Sequence, residues 1–180
     1  MEFNPKVSII IPVYNGYKYV KEAIDSALGQ TYQNKEVLVV NDGSPDEGKT
    51  REVVQKFGDK VKYFEKENGG VSTALNLAIK NMSGEFFSWL SHDDVYYPQK
   101  VEKQIEFLKK EKKPYQTAVY SNYDFIDANS KKIGEFHLSQ IKPEYFLIHV
   151  FFKSDINGCT LLIPKKAFDE VGLFNEKLRS

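Results

Sequence analysis

Hydrophobic positions along the first part of the chain switch repeatedly between two periods. Val7-Ser8-Ile9-Ile10-Ile11-Pro12-Val13 is a nearly continuous β-branched run, the pattern of a parallel strand covered on both faces. Pro12 has no N–H to donate, so ladder pairing is expected to stop near it. After the turn signal Tyr14-Asn15-Gly16, Val20, Ala23, Ile24, Ala27 and Leu28 recur at helical spacing. A second strand from Lys35 to Val40 ends in Asn41-Asp42-Gly43-Ser44. A helix pattern through Val53, Val54 and Phe57 follows, then a third strand over Val61 to Phe64. Asn68-Gly69-Gly70 precedes a helix with Val71, Ala74, Leu75, Ala78, Ile79 and Met82 on one face, stopped near Ser83-Gly84. The run from Phe86 to Leu90 has strand length, and Pro98 is placed to open a helix carrying Val101, Ile105 and Leu108. Four alternations of strand and helix imply an α/β fold with a mostly parallel central sheet and helices on both faces.

Beyond Pro114 the pattern changes. Thr117-Ala118-Val119-Tyr120 reads as a further strand, and Asp127-Ala128-Asn129-Ser130-Lys131 as a turn between two extended pieces. Pro143 to Phe152 is rich in aromatic residues, Gly158 to Ile163 reads as another strand, and Lys165 to Val171 as a short helix ended by Gly172. No internal repeat, low-complexity segment or linker divides the chain. It is read as a single domain, 1–180, with residues 1–114 as one half and 115–180 as a smaller mixed half.

Composition narrows the class. Lys+Arg and Asp+Glu are both 25, a zero net charge that argues against a nucleic-acid binder relying on bulk positive charge. Aromatic residues make up 14%, which excludes a disordered chain. The single Cys159 has no internal disulfide partner. The polar opening Met1-Glu2-Phe3-Asn4-Pro5-Lys6 is not a signal peptide, and no apolar run has membrane-spanning length, so the expected location is cytoplasmic. On the helix after Pro98 and its exit, Lys100, Lys103, Lys109, Lys110, Lys112 and Lys113 are interleaved with Glu102, Glu106 and Glu111 and are read as a solvated face, with an anion site as the other reading.

Ligands of open α/β sheets bind beyond the carboxyl ends of the strands. Three such ends carry chemistry here: Pro12-Val13-Tyr14-Asn15, Asn41-Asp42-Gly43-Ser44 and His92-Asp93-Asp94. Adjacent acids repel each other, and oxygen donors suit a hard divalent cation such as Mn2+ or Mg2+. The competing reading is a polar strand-to-helix turn with Asp94 near the following helix N-terminus. The chain has no G-x-G-x-x-G and no G-K-[ST] loop, so a diphosphate ligand would need a metal to neutralise it rather than a glycine-rich cradle.

The motifs V-S-I-I-I-P-V-Y-N at 7–15, Q-T-Y at 30–32, V-V-N-D-G-S at 39–44, N-G-G-V-S-T-A-L-N at 68–76, L-S-H-D-D at 90–94 and V-G-L-F-N-E at 171–176 occur in this order. Together they resemble an inverting family 2 glycosyltransferase of GT-A fold, and the resemblance covers essentially the whole chain. It implies transfer of a sugar from a nucleotide-sugar donor, a UDP-sugar first of all, to a hydroxyl of a glycan or glycoconjugate acceptor. By that resemblance Pro12, Val13, Tyr14 and Asn15 would line the base and ribose pocket. Asp42 would accept a hydrogen bond from the base, and Gly69, Gly70 and Ser72 would pack near the nucleotide. Asp93 would touch the ribose or the metal sphere, and Asp94 would ligate the metal. The plain alternatives are a turn-forming Asp42 and ordinary helix capping at Gly69, Gly70 and Ser72. Asn76 is read as structural.

Two departures from the family pattern stand out. Ser91 occupies a place where many members carry an acid, and His92 is either an extra ligand or a packing residue beside the pair. In addition, the acidic pair that follows Gly-x-Phe in the family, and supplies the catalytic base, is not found after Gly172-Leu173-Phe174. The chain is therefore read as truncated before that region, with Asp155 as the remaining candidate base, donor binding retained and transfer weakened. Asp169-Glu170 is expected to cap or face solvent. The cluster from Tyr145 to Phe152 is read as core or acceptor-side wall, with a homo-oligomer contact or a peripheral membrane edge as the other readings. The rival functions are a non-catalytic nucleotide-sugar-binding module and a sugar nucleotidyltransferase.

Overall fold

In the computed structural model, which describes residues 3–138, 141–153 and 156–178, β1 (Val7–Val13) lies at the centre of a five-stranded sheet. The order is β3 (Lys62–Lys66), β2 (Lys35–Asp42), β1, β4 (Phe86–Trp89) and β7 (Leu162–Pro164). All neighbours are parallel except β7, which runs antiparallel to β4. The period of two along each strand sorts the side chains onto two faces. Val7, Ile9, Ile11 and Val13 join Val37, Val39 and Phe86 against helices α1 (Val20–Leu28) and α4 (Lys100–Leu108). Ile10, Leu38, Val40 and Phe87 face α3 (Val71–Asn81), which contributes Ala74, Leu75, Ala78 and Ile79. Each fully buried Ile or Leu contributes roughly 1.5–3 kcal/mol, so these two layers dominate the stability.

The remaining elements are α2 (Lys49–Gln55), a hairpin of β5 (Tyr123–Ile126) and β6 (Lys132–Phe136), α5 (Phe146–Lys153) and α6 (Lys165–Val171). The expected turn at 127–131 is present: Asp127 N bonds Lys131 O, and Asp127 Oδ1 accepts from Asn129 N and Lys131 N. At the amino ends of the strands Glu36 gathers Ser8 Oγ (2.5 Å), Lys62 Nζ (2.7 Å) and Ser83 N (2.6 Å). Burial opposes its charge, but these hydrogen bonds outweigh burial and hold the carboxyl down at about 2.

Several boundaries depart from the sequence reading. Strand β2 continues two residues past Val40, and β1 pairs through Pro12 to Val13, because Pro12 and Val40 are matched in register without needing the proline donor. Residues 117–120 form no strand; Val119 makes a single bridge to Leu162, following a 3-10 turn at Pro114–Gln116. The segment from Gly158 begins as a 3-10 turn, Gly158–Thr160, because Asn157 Oδ1 caps Cys159 N at 2.8 Å, and extends only from Leu162. Pro98 precedes α4 rather than opening it, its carbonyl accepting from Thr31 N at 2.9 Å. Asp169 and Glu170 are exposed, as expected. Among the described residues no helix is long and apolar enough to cross a membrane.

Candidate functional site

The carboxyl ends of β1, β2 and β4 lie side by side, as the parallel register requires. The first two are laced together: Asn15 N donates to Ser44 Oγ at 2.9 Å, and Ser44 N and Oγ donate to Asn41 Oδ1. Pro12 and Val13 are buried, Val13 within the core, so they can offer a ligand only main-chain atoms, whereas Tyr14 and Asn15 are exposed. Asn15 holds φ at 51°, a left-handed value that asparagine tolerates.

Asp42 closes β2 and is only 4% exposed. Its Oδ1 accepts from Lys66 Nζ (2.6 Å) and Gly69 N (3.1 Å), and its Oδ2 from Gly70 N (2.8 Å) and Asn68 Nδ2 (3.3 Å). A carboxylate has about four acceptor positions, so all are taken and an incoming N–H must replace a donor. The long Asn68 bond is the weakest of the four. Gly43 permits this approach: its φ is +68°, and a Cβ there would stand 2.6 Å from Asn68 N. Ser72 is half-buried in the first turn of α3, but Thr73 makes the polar contacts, to Gly70 O and from Lys66 Nζ.

After β4, Asp94 N bonds Ser91 O, turning the chain so that the two acids follow the strand end. Asp93 is exposed and Asp94 half-buried. Cys159 Sγ donates to Asp94 Oδ2 at 2.9 Å, and Ser91 N donates to Cys159 Sγ at 3.2 Å. Burial, with Asp94 alongside, pushes the Cys159 thiol up to about 12, so it stays a donor and is no thiolate ligand. The His92 ring packs on Gly16, where a Cβ would come within 2.4 Å of His92 Cδ2, which supports the packing reading. Asp93 and Asp94 border a cleft of about 350 Å³ facing Glu22, Asp127 and Asn157. Asp94 also borders a second one of about 190 Å³ between α4, the β5–β6 hairpin and the 157–160 segment. The Asp42 cluster borders neither cleft, so the candidate residues form two groups along one sheet edge.

Lys100 corrects the reading of α4 as a wholly solvated lysine face. The residue is half-buried and lines the smaller cleft, while Lys103, Lys109 and Lys110 are exposed. Its Nζ donates to Ser88 Oγ at 2.8 Å and Leu161 O at 3.3 Å and sits 4.1 Å from the centre of the Tyr96 ring. Burial lowers this amine from 10.5 to about 7, against a small opposing pull from Cys159. Asn76 is structural as expected: its amide donates to Phe174 O and Glu176 Oε1, and its Oδ1 accepts from Phe174 N. Asp155 lies outside the described residues. Lys66, Thr73, Asn157 and Cys159 were not singled out as site residues, since each becomes visible only when a distant segment is brought beside an acid.

Among the described residues no three His, Cys, Asp or Glu side chains are disposed to hold a metal by themselves. Two neighbouring carboxylates, one exposed and one half-buried, nevertheless suit a hard cation whose remaining ligands come from water and phosphate.

The mostly parallel central sheet with helices on both faces is that of the GT-A fold, as its solved neighbours show. The model of Glycosyl transferase family 2 matches residues 8–172, and the chain belongs to that family. An uncharacterized glycosyltransferase of Rickettsia felis is 52% identical over 97% of the chain, which spans 29% of that relative. Staphylococcus aureus TarS 1–349 in complex with UDP superposes with a TM-score of 0.74 at 22% identity, covering 97% of this chain and 52% of that one. The mannosyltransferase PcManGT from Pyrobaculum calidifontis, in complex with GDP-Man and Mn2+, gives 0.68 at 20% identity, covering 97% and 48%.

Proposed function

We propose that the chain binds a nucleotide sugar, a UDP-sugar first of all, and takes part in inverting transfer of its sugar to a hydroxyl of a glycan or glycoconjugate. The observation that carries this reading is that one edge of the sheet carries both the acids Asp93 and Asp94, after β4, and, two strands away, the buried Asp42 held by the Gly69 and Gly70 amides. Family membership favours glycosyl over nucleotidyl transfer, and the complexes of the two structural relatives with UDP and with GDP-Man and Mn2+ support the choice of ligand. The chain spans between 26% and 56% of the Rickettsia relatives, so the activity of a whole protein is part of the proposal.

Asp42 reads the base, exchanging the Asn68 amide for a ring N–H while Lys66, Gly69 and Gly70 keep the carboxylate fixed. Tyr14 and Asn15 flank base and ribose, with the main chain of Pro12 and Val13 as the pocket floor and Ser72 at its edge. Asp94 and Asp93 would hold Mn2+ or Mg2+, which would supply positive charge to the leaving diphosphate. The Cys159 thiol fixes one Asp94 oxygen and leaves the other to face the ligand. The acceptor hydroxyl gives its proton to a carboxylate base, for which Asp155 is this chain's candidate. It attacks the anomeric carbon from the side opposite the diphosphate; the C–O bond to phosphate breaks, the nucleoside diphosphate leaves, and configuration inverts. The location that goes with this reading is the cytoplasm, at the inner face of the membrane. Calorimetric titration with UDP, with and without Mn2+, tests the reading: binding that strengthens with Mn2+ supports it, and no binding in either condition overturns it.

A further inference from the structure

The smaller cleft holds a charge that the proposed reaction does not use. Four charged residues border it: Asp94, Lys100, Asp124 and Lys132. Asp124 and Lys132 pair at 2.9 Å, and Tyr97 donates to the same carboxylate at 2.5 Å. With Asp94 assigned to the metal, Lys100 is the one charged residue of the described lining without a partner of opposite sign. All its recorded contacts are neutral: the Ser88 hydroxyl, the Leu161 carbonyl and the Tyr96 ring. An enclosed ammonium without a counter-charge costs several kcal/mol that a methionine of similar length would not, and such a group inside a cleft is a candidate for recognition. The other lining is compatible with a sugar: Tyr97 and Tyr123 offer rings, Ser121 a hydroxyl and Asn157 its amide N–H groups, its Oδ1 being taken by Cys159 N. A volume of about 190 Å³ suits one pyranose with its substituents.

We propose that this cleft takes a sugar bearing an anionic group, a carboxylate or a phosphate ester, and that Lys100 is the residue that meets the anion. The proposal rests on the nucleotide-sugar reading above. The anion has two possible sources. It is carried either by the transferred sugar, as in a uronic acid, or by the acceptor, as in a sugar or polyol phosphate. In both, the ammonium gains the counter-charge that the fold withholds, in a charge-assisted hydrogen bond.

The test titrates the parent chain and Lys100→Met with Mn2+ present. One arm compares UDP-glucuronate with UDP-glucose; the other, with UDP bound, compares glucose 6-phosphate with glucose. UDP alone is the control for the underlying reading. In the parent, the acidic member of one arm should bind at least about tenfold more tightly than its neutral partner, the worth of one hydrogen bond to a charged group. Lys100→Met should erase that preference and Lys100→Arg keep part of it; the arm that responds names the source. If UDP binds but neither pair is distinguished, the Lys100 assignment falls and the nucleotide reading stands. A preference that survives in Lys100→Met also sinks the assignment. If UDP and all four probes fail to bind, both readings fall.

Discussion

Replacing Lys100 by methionine should change the stability of the protein in opposite directions at the two ends of the accessible pH range. The lysine amine falls from 10.5 to about 7 in the folded chain, mainly by burial, which places roughly 5 kcal/mol on the charged form. Between pH 7 and 10.5 the unfolded chain binds a proton that the folded chain does not, so this group makes stability rise with pH across that window. Below pH 7 both states are protonated and the full penalty applies. Methionine removes the penalty but forfeits the hydrogen bonds to Ser88 and Leu161, together about 2 kcal/mol. Lys100→Met should therefore be more stable than the parent by about 3 kcal/mol at pH 6, and less stable by about 1 kcal/mol at pH 10. Urea unfolding of both chains at pH 6, 8 and 10 measures the difference, in which the other titrating groups largely cancel. A difference that stays constant across the series would refute the burial of this charge.

Asp94→Asn should remove the Mn2+-dependent part of UDP binding, and unchanged affinity in calorimetry would count heavily against the metal role. Asp42→Ala should weaken UDP binding equally with and without Mn2+. It also removes the carboxylate partner of Lys66 and leaves the Gly69 and Gly70 amides unpaired, so amide exchange in that loop should accelerate. Asn76→Ala should cost about 2–4 kcal/mol in urea unfolding, since it strands the Phe174 amide and carbonyl, and should hasten proteolytic cleavage near residue 174. Glu36 supports folding above its ordinary value of 4.5, and that support fades as pH falls towards 2. Glu36→Gln should thus lower stability at pH 7 while leaving the parent and variant nearly equal by pH 2.

The alternating elements from β1 to α4 were legible because each strand is apolar on both faces and each helix carries one stripe, so local periodicity and burial agree. Agreement weakened after Pro114. Thr117 to Tyr120 has strand composition, yet among the described residues its one bridge is to a single residue of a three-residue edge strand, and no local signal reports how much edge is available. Asp42, Asp93 and Asp94 were visible as acids at strand ends. What surrounds them was not, because Lys66, Cys159 and Asn157 arrive from other segments. Lys100 misled for a related reason: among alternating lysines and glutamates, its sequence context does not reveal that α4 turns this one residue towards Ser88 and Leu161. Asn76, on a helix with an apolar stripe, reads as structural from the sequence, and its three bonds to 174–176 fit that role.

The antiparallel strand β7 has a bearing on how the chain matures during synthesis. Phe86 meets Pro164, and Ser88 meets Leu162, more than seventy residues later. A nascent polypeptide thus completes the run from β3 to β4 long before the last strand leaves the ribosome. Until then the flank of β4 is an open template able to recruit a neighbouring chain. Its four-residue length keeps that exposure small, and the arrival of residues 162–164 ends it.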